Sequence, residues 1–186
     1  MVRMDLASLH QELVDSSDLL IVQDLDGVCM PLVKDPLTRS LPADYVHAAA
    51  RLRGSFCVLT NGEHEGHRGV NRLVEKTLGN SSIARHQGLY LPGLAAGGVQ
   101  LQDEFGHLTH PGVSNAEMSF LASVPERMNA LMSALLPSAM PGLADQDLNA
   151  EIDQAILDTQ VSPTINLNSL FSRIPSDVNG QRALQS

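Results

Sequence analysis

The chain has 186 residues, 43% of them hydrophobic and 3% aromatic, so it is long enough to bury a core, and that core must be mainly aliphatic. The 21 acidic side chains outnumber the 12 basic ones and give a net charge of −9, which argues against binding to nucleic acid or to a membrane surface. With two cysteines, Cys29 and Cys57, and neither an apolar signal core nor a spanning segment at the start, we expect a cytoplasmic protein without a disulfide framework.

The first half of the chain alternates between helical and strand patterns. Apolar residues at helical spacing predict an amphipathic helix near the start, and short runs of β-branched and other apolar residues predict two buried strands. A helix separates these strands, so the crossover is long enough to make them parallel. The predicted elements are a helix over residues 6–14, a strand over 19–22, a helix over 43–53, a strand over 55–60 and a helix over 70–78 closed by Gly79.

The second half of the chain has a different pattern of apolar and polar residues. An alternating stretch, a turn and a short return indicate a β-hairpin, and a proline followed by apolar residues at helical spacing indicates the start of a helix. Residues 151–168 are ambiguous, because one part has a helical stripe and the other alternates like an edge strand. The predicted segments are a hairpin from 99–102 to 107–110, a helix over 125–136 that begins at Pro125, and a loop over 137–147.

Two aspartates, Asp24 and Asp26, follow the first predicted strand and precede Gly27. In an open α/β sheet the ligand crevice lies outside the carboxyl ends of the strands, so both side chains are expected at the site. Asp26 and Gly27 could instead form the tip of a hairpin, but no matching alternating strand follows before Pro31. A calcium loop would need further acidic and glycine residues at fixed positions where this chain lacks them. The pattern therefore favours a catalytic pair.

The spacing of these aspartates suits the hydrolysis of a phosphate ester. Asp24, nearest the strand, is the expected nucleophile and would form an acyl phosphate that water then cleaves. Asp26 is expected to protonate the leaving alkoxide and then to deprotonate the attacking water. Because a carboxylate and a phosphate repel each other, the site needs a hard cation with oxygen ligands. We predict Mg²⁺, held in part by Asp24 and by the backbone carbonyl of Asp26.

A hydroxyl, an amide and a glycine end the second predicted strand, as Thr60, Asn61 and Gly62. A threonine Oγ and backbone N–H groups at a strand end can hold phosphate oxygens. Taken alone, such a stretch is more often an ordinary turn. Its position one crossover after Asp24 favours phosphate binding, because ligands of an open sheet bind at the carboxyl ends of its strands.

On these residues the chain resembles the haloacid-dehalogenase-like phosphohydrolases. The Asp-Leu-Asp-Gly stretch that starts at Asp24 matches their first motif, and the Thr-Asn-Gly stretch that starts at Thr60 matches the second. More narrowly, residues 23–39 and 59–68 are similar to the glucosylglycerol-phosphate phosphatases of cyanobacteria, and residues 158–168 show a weaker similarity. The first two segments are specific for this family when taken together, whereas the rest of the chain is similar to it mainly in its general residue pattern.

The resemblance implies a parallel Rossmann-like α/β core with a mixed α/β cap inserted after the second motif, as in sucrose- and trehalose-phosphate phosphatases. It assigns residues 1–87 to the core, and residues 88–186 to the hairpin that leads into the cap and to part of the cap. It also implies Mg²⁺-dependent hydrolysis of a small phosphorylated glycoside, glucosylglycerol 3-phosphate, to a compatible solute during salt acclimation. A related sugar-phosphate phosphatase is the alternative, since the cap largely decides the substrate.

Two later motifs of that superfamily have no match in this sequence. The resemblance requires a lysine that holds the phosphate and a distal acidic pair that completes the metal shell. The two lysines, Lys34 and Lys76, do not follow a late strand, and the best acidic cluster, at Asp145 and Asp147, follows a predicted loop. We therefore expect that the chain ends inside the cap and that by itself it turns over slowly or not at all.

Other polar residues near the motifs have ordinary interpretations. His64 and His67 lack the helical spacing of a zinc motif, so we expect them in a solvated or substrate-facing loop. Arg39 and Arg68 are expected on the surface, although either could contact phosphate or sugar hydroxyls. A non-catalytic Mg²⁺-binding α/β module of the receiver type is the alternative of a different class, but its acidic pair normally precedes the phospho-aspartate strand.

Overall fold

The computed structural model describes residues 5–33, 35–140, 144–157 and 159–173. These residues form a mixed α/β structure, as predicted, and the chain divides into two compact units, Met1–His110 and Pro111–Ser186. The strands are β1 (Ile21–Gln23), β2 (Phe56–Leu59), β3 (Gly93–Ala95), β4 (Gln100–Gln102) and β5 (Leu108–Thr109). The α-helices are α1 (Leu6–Asp15), α2 (Ala43–Arg51), α3 (Val70–Leu78), α4 (Ser81–Gln87), α5 (Asn115–Ala139), α6 (Asp145–Ala155) and α7 (Asn168–Arg173).

The five strands of the first unit form one sheet in the order β1-β2-β3-β4-β5. β1, β2 and β3 are parallel, and β3, β4 and β5 are antiparallel. The predicted parallel crossover is therefore confirmed, and β4 and β5 form the predicted hairpin. This hairpin lies in the same sheet as β1 and β2, and the two units divide after His110. The assignment of residues 88–186 to the cap stays a prediction.

One face of the sheet packs against helices and forms the core of the first unit. In β2 the side chains of Phe56 and Val58 are 6% and 0% exposed and point into this core. Helices α2, α3 and α4 supply the other side of the core with aliphatic side chains, as the composition predicts. These helical core residues are Val46, Ala49, Val70, Leu73, Val74 and Ala84.

The opposite face of the sheet carries apolar side chains that remain accessible. Residues paired across a ladder point to the same face, so the register places Leu59, Leu94 and Leu101 together, with Val22 on β1. These four side chains are between 38% and 56% exposed. Among the described residues, β1 has one strand neighbour, β2, so the strand that leads to Asp24 lies at the edge of the sheet.

Glycine and asparagine set the boundary between α3 and α4. The predicted helix over residues 70–78 is confirmed, and Gly79 ends it in the left-handed conformation at φ 68°. Asn80 then caps α4, because its side chain accepts hydrogen bonds from the N–H groups of Ser82 and Ile83. Helix α4 was not predicted, since its seven residues are too few to show a helical stripe.

In the second unit, α5 begins well before Pro125, so the predicted start at that proline was wrong. Ser114 and Glu117 form a capping box at its true start: the Glu117 Oε2 accepts the Ser114 N–H at 2.8 Å, and the Ser114 Oγ accepts the Glu117 N–H at 3.3 Å. Pro125 therefore lies inside the helix. The capping signal outweighs the preference of proline for a first helical turn.

In the second unit, the ambiguous stretch is helical in its first part and forms an isolated β-bridge in its later part. α6 extends to Ala155, a single antiparallel bridge joins Ile156 to Ile165, and α7 begins at Asn168. The predicted loop over 137–147 is also partly helical, and its residues 141–143 lie outside the described part of the chain. Within the described ranges, no helix combines the length and apolarity needed to cross a bilayer. The core of this unit consists of Met132, Leu136, Met140, Leu148, Ile152, Ala155 and Leu170.

Candidate active site

Strand β1 brings Asp24 to the carboxyl edge of the sheet. Gln23 at the end of β1 pairs with Val58 of β2, and Asp24 is the next residue. The side chain of Asp24 is exposed, and its Oδ1 accepts a hydrogen bond from the N–H of Leu25 at 2.8 Å. An exposed carboxylate that is oriented by the backbone can serve as a nucleophile or as a ligand of a hard cation.

The turn after Asp24 is fixed by a buried leucine and a glycine. The side chain of Leu25 is 0% exposed, and its carbonyl accepts a hydrogen bond from the N–H of Met30 at 3.3 Å. Gly27 adopts φ 80°, a left-handed conformation that glycine adopts without strain, and its N–H donates to the Met30 carbonyl at 2.8 Å. These hydrogen bonds therefore fix the backbone conformation of the turn that contains Asp26.

Asp26 is paired with a buried arginine. The Nη1 of Arg39 donates to the two carboxylate oxygens of Asp26 at 3.1 and 3.3 Å, and the side chains are 9% exposed for Arg39 and 37% for Asp26. The expectation of a surface position for Arg39 was wrong. Arg39 directly follows the short helical turn Pro36–Thr38, and the sequence has no local pattern that pairs Arg39 with Asp26.

The second predicted motif follows β2 and is tied to β3. Thr60 is 4% exposed, its N–H donates to the carbonyl of Leu94 at 3.0 Å, and its Oγ1 accepts the N–H of Gly62 at 3.3 Å. The carbonyl of Gly62 accepts the N–H of Ala96 at 2.7 Å. Asn61 is exposed at the tip of this turn. The Thr60 hydroxyl still has its proton to donate to an oxygen of a ligand.

The two predicted motifs meet at the same edge of the sheet. β1 and β2 are adjacent and parallel, and the pairing of Gln23 with Val58 places Asp24 and Thr60 just beyond the ends of neighbouring strands. This is the edge at which ligands of open α/β sheets bind. Asp24, Asp26 and the turn from Thr60 are thus gathered at one place, as the sequence predicts.

The Cys29 thiol next to this edge is not in its nucleophilic thiolate form at neutral pH. Burial raises the pKa of the Cys29 thiol above its ordinary value of 9.0, and the charges of Asp26 and Asp24 act in the same direction. The thiol therefore stays protonated at neutral pH. Tyr45 packs against the same core and donates its hydroxyl to the Gln23 side chain at 3.1 Å, which steadies the end of β1.

His64 is buried, so the expectation of a solvated or substrate-facing position was wrong for this histidine. Its side chain is 0% exposed, its Nε2 lies 3.1 Å from the carbonyl oxygen of Gly93, and its backbone N–H donates to the Gln100 side chain at 2.9 Å. Burial lowers the pKa of the imidazole below its ordinary value. His67 is exposed. His64 therefore anchors the loop after β2 to β3 and β4.

The predicted Mg²⁺ ligands fit a hard cation only in part. The Asp24 carboxylate and the Asp26 carbonyl are the oxygen ligands that Mg²⁺ prefers, whereas the Asp26 carboxylate is already bound by Arg39. Across the described residues, no three His, Cys, Asp or Glu side chains are grouped to hold a metal ion. These residues would supply only part of a coordination shell for such a cation.

The structure describes the side chains of two of the four positions considered for the later motifs. Lys76 is exposed on α3. Lys34 lies outside the described residues, and the structure does not describe the Asp145 side chain. Asp147 is exposed on α6, in the second unit.

Two comparisons with known proteins lead to the same family. A family model described as glucosylglycerol-phosphate phosphatase matches residues 18–186. A glucosylglycerol-phosphate phosphatase from Synechocystis sp. is 49% identical over 182 residues. The aligned segment covers 98% of this chain and 43% of the Synechocystis protein, so the chain spans less than half the length of that relative.

Proposed function

Because the chain belongs to the glucosylglycerol-phosphate phosphatase family, we propose that it supplies the nucleophile and the phosphate-binding turn of an enzyme that hydrolyses glucosylglycerol 3-phosphate. The observation that carries the proposal is the common sheet edge of Asp24 and Thr60, which follow adjacent parallel strands. The paired carboxylate Asp26 lies on the same loop as Asp24. Such a constellation suits attack on phosphorus with acid–base assistance.

The proposed reaction has two half-reactions at Asp24. Its carboxylate attacks phosphorus, the bond from phosphorus to the glycoside oxygen breaks, and Asp26 gives its proton to that leaving oxygen. Asp26 then takes a proton from water, which attacks the acyl phosphate and releases inorganic phosphate with the Asp24 carboxylate restored. The protein contributes mainly by holding these groups in line with the phosphoryl group.

The turn after β2 would hold the phosphoryl oxygens during both half-reactions. The Thr60 oxygen accepts from Gly62, so its own O–H is available to a phosphate oxygen. Asn61 is exposed beside it and offers an amide donor. The carbonyl of Gly62 is fixed by Ala96, which gives the turn a stable position on β3.

The proposal also includes a cofactor, a cellular location and a physiological role. Mg²⁺, when bound, would neutralise phosphate charge, with the Asp24 carboxylate and the Asp26 carbonyl among its ligands. The free cysteines Cys29 and Cys57 support a reducing, cytoplasmic location. Synthesis of a compatible solute during salt acclimation is the role that this substrate would imply.

We further propose that the chain alone has weak activity or none. It spans 43% of its Synechocystis relative, and its described residues offer two Mg²⁺ ligands and no lysine at the sheet edge. A phosphoryl group at Asp24 would thus lack much of the positive charge that its transfer needs.

The test uses a chimera in which this chain replaces the aligned segment of the Synechocystis protein. Phosphate release from glucosylglycerol 3-phosphate is measured with and without Mg²⁺, for the chimera and for the chain alone. We expect the chimera to be active, and Asp24→Asn to reduce its rate by at least about 1,000-fold, because an amide cannot act as the nucleophile. Asp18→Asn, at an exposed aspartate before β1, is the matched control and should leave the rate unchanged.

Three outcomes would change the proposal. Full activity of Asp24→Asn would remove Asp24 from the nucleophile role. Equal or better turnover of sucrose 6-phosphate or trehalose 6-phosphate would favour the related phosphatases as the correct class. Robust activity of the chain alone would show that it contains a complete site.

A further inference from the structure

Arg39 joins three segments on which the candidate active site depends. Its Nη1 donates to both carboxylate oxygens of Asp26, and its Nε donates to the carbonyl of Pro36 at 3.1 Å. Its Nη2 donates to the carbonyl of Arg68, which lies in the loop that leads from Thr60 to α3. Each nitrogen of the guanidinium is thus engaged, on a side chain that is 9% exposed.

We propose that Arg39 is the positioning residue of the acid–base step, an inference that rests on the proposed function. Asp26 has to meet the leaving oxygen in the first half-reaction and the attacking water in the second, so its carboxylate must keep one position through both. A carboxylate whose two oxygens accept from one guanidinium nitrogen cannot turn freely about its Cβ–Cγ bond. Arg39 supplies this restraint.

The same guanidinium holds Asp26, the proposed proton donor, in a fixed position relative to the phosphate-binding turn. Asp26 follows β1, and the loop that contains Thr60 and Arg68 follows β2. The hydrogen bond from Arg39 to the Arg68 carbonyl is a direct link between the two loops. A misplacement of the acid relative to the phosphate would cost rate even with every catalytic group present.

Lysine could not replace Arg39 in this role. The three nitrogens of arginine lie in a rigid plane and reach Asp26, Pro36 and Arg68 together, whereas an ammonium group is a single point of charge. Arg39→Lys therefore keeps the charge beside Asp26 and loses the bridge to the second loop.

Arg72 offers a matched control on the same turn. Its Nη1 and Nη2 donate to the carbonyls of Leu37 and Pro36 at 3.3 and 3.2 Å. It holds the turn that carries Arg39 through these two carbonyls and, within the described residues, forms no hydrogen bond with Asp26. Arg72→Met therefore reports what loss of support for the turn does by itself.

The experiment compares two leaving groups in the active chimera. Glucosylglycerol 3-phosphate releases an alkoxide that needs a proton, whereas p-nitrophenyl phosphate releases a stable phenolate that does not. In a reaction with two half-reactions, kcat/KM reports the steps up to release of the leaving group. We expect Arg39→Met to lower kcat/KM for the glycoside phosphate by about 100-fold, with a much smaller change for p-nitrophenyl phosphate. Asp26→Asn should show the same selectivity, and the double variant should lose no more than Asp26→Asn alone.

The controls separate positioning from a merely structural role. Arg72→Met should affect both substrates equally or not at all, and thermal unfolding shows whether each variant is folded. Arg39→Lys, the milder change, should shift the ratio of the two substrates in the same direction as Arg39→Met and serves if Arg39→Met does not fold.

Equal losses on both substrates, or losses that add to those of Asp26→Asn, would overturn the role of Arg39. If the parent chimera is active and depends on Asp24 and Asp26 while Arg39→Met behaves like the parent, this inference alone fails. If the parent chimera is inactive, or Asp24→Asn remains active, the proposed function fails and the role of Arg39 fails with it.

Discussion

His64 stabilises the loop after β2 as a neutral, buried side chain. A carbonyl oxygen can only accept, so the nitrogen 3.1 Å from the Gly93 carbonyl, Nε2, carries the proton. Nδ1 is buried and has no hydrogen-bond partner among the described residues. Burial is the main cause that lowers the pKa of the imidazole from its ordinary value of 6.5, and the hydrogen bond to Gly93 opposes it. Protonation would place an uncompensated charge in the core.

This burial predicts a pH dependence of stability. Below pH 6.5 the unfolded chain binds a proton at His64 that the folded chain does not, so the free energy of unfolding falls as the pH drops through this range. The contribution of neutral His64 to the free energy of unfolding is fully present above pH 6.5. Below this pH the free energy of unfolding falls by at most about 1.4 kcal/mol per pH unit, until the pH has passed the lowered pKa of the folded state. Urea unfolding of the chain from pH 7.5 downwards measures it.

The parent chain and its variants are compared by the slope of the free energy of unfolding against pH. His64→Gln should have a smaller change in unfolding free energy with pH than the parent, whereas His47→Gln, at an exposed histidine of α2, should have the parental slope. A parental slope in His64→Gln would show that His64 is not the group responsible.

The residues of the site differ in how far the sequence predicts them. Asp24 and Thr60 follow strands whose apolar runs are visible in the sequence, so a local pattern places both at the sheet edge. Arg39 and His64 become important through partners far along the chain, Asp26 and Gly93. No local spacing encodes such pairs, and both residues were expected at accessible positions.

At the scale of elements, β3 supports the site, and its sequence does not predict a strand. The strand consists of Gly93, Leu94 and Ala95, without the β-branched and aromatic residues that mark strands. Its position depends on the close approach of Gly93 to Val58 of β2. The helix over residues 70–78 was predictable because its apolar spacing and its terminal glycine are both local signals.

Gly93→Ala should therefore destabilise the chain severely. Gly93 has φ 141°, and a Cβ at this position would collide with the backbone nitrogen, carbon and oxygen of Val58. Backbone strain and overpacking together should cost about 3 kcal/mol or more, measured by urea unfolding. Gly97→Ala is the matched control, because Gly97 also has a positive φ but no atom within 4 Å of its added Cβ. Its cost should be about 1 kcal/mol, and equal costs at the two positions would contradict this account.

At the scale of the whole molecule, the candidate site lies just beyond β1, which is an edge strand within the part of the chain that the structure describes. β1 has one strand neighbour among the described residues, and Val22, Leu59, Leu94 and Leu101 are exposed on one face of the sheet. The sequence predicts the parallel start of this sheet and the hairpin at its end. It does not show which strand is at the edge, because strand order depends on contacts between distant segments.

The central claim is that Asp24 is the nucleophile, and trapping the acyl phosphate tests it most directly. Asp26→Asn in the chimera should still transfer a phosphoryl group from p-nitrophenyl phosphate, whose leaving group needs no proton, but should activate water poorly. A burst of p-nitrophenolate close to one equivalent is predicted, with the phosphoryl group found on Asp24 by peptide mass spectrometry after acid quenching. Phosphorylation of another residue, or continued hydrolysis by the parent chimera with no phosphorylated aspartate in Asp26→Asn, would contradict the account.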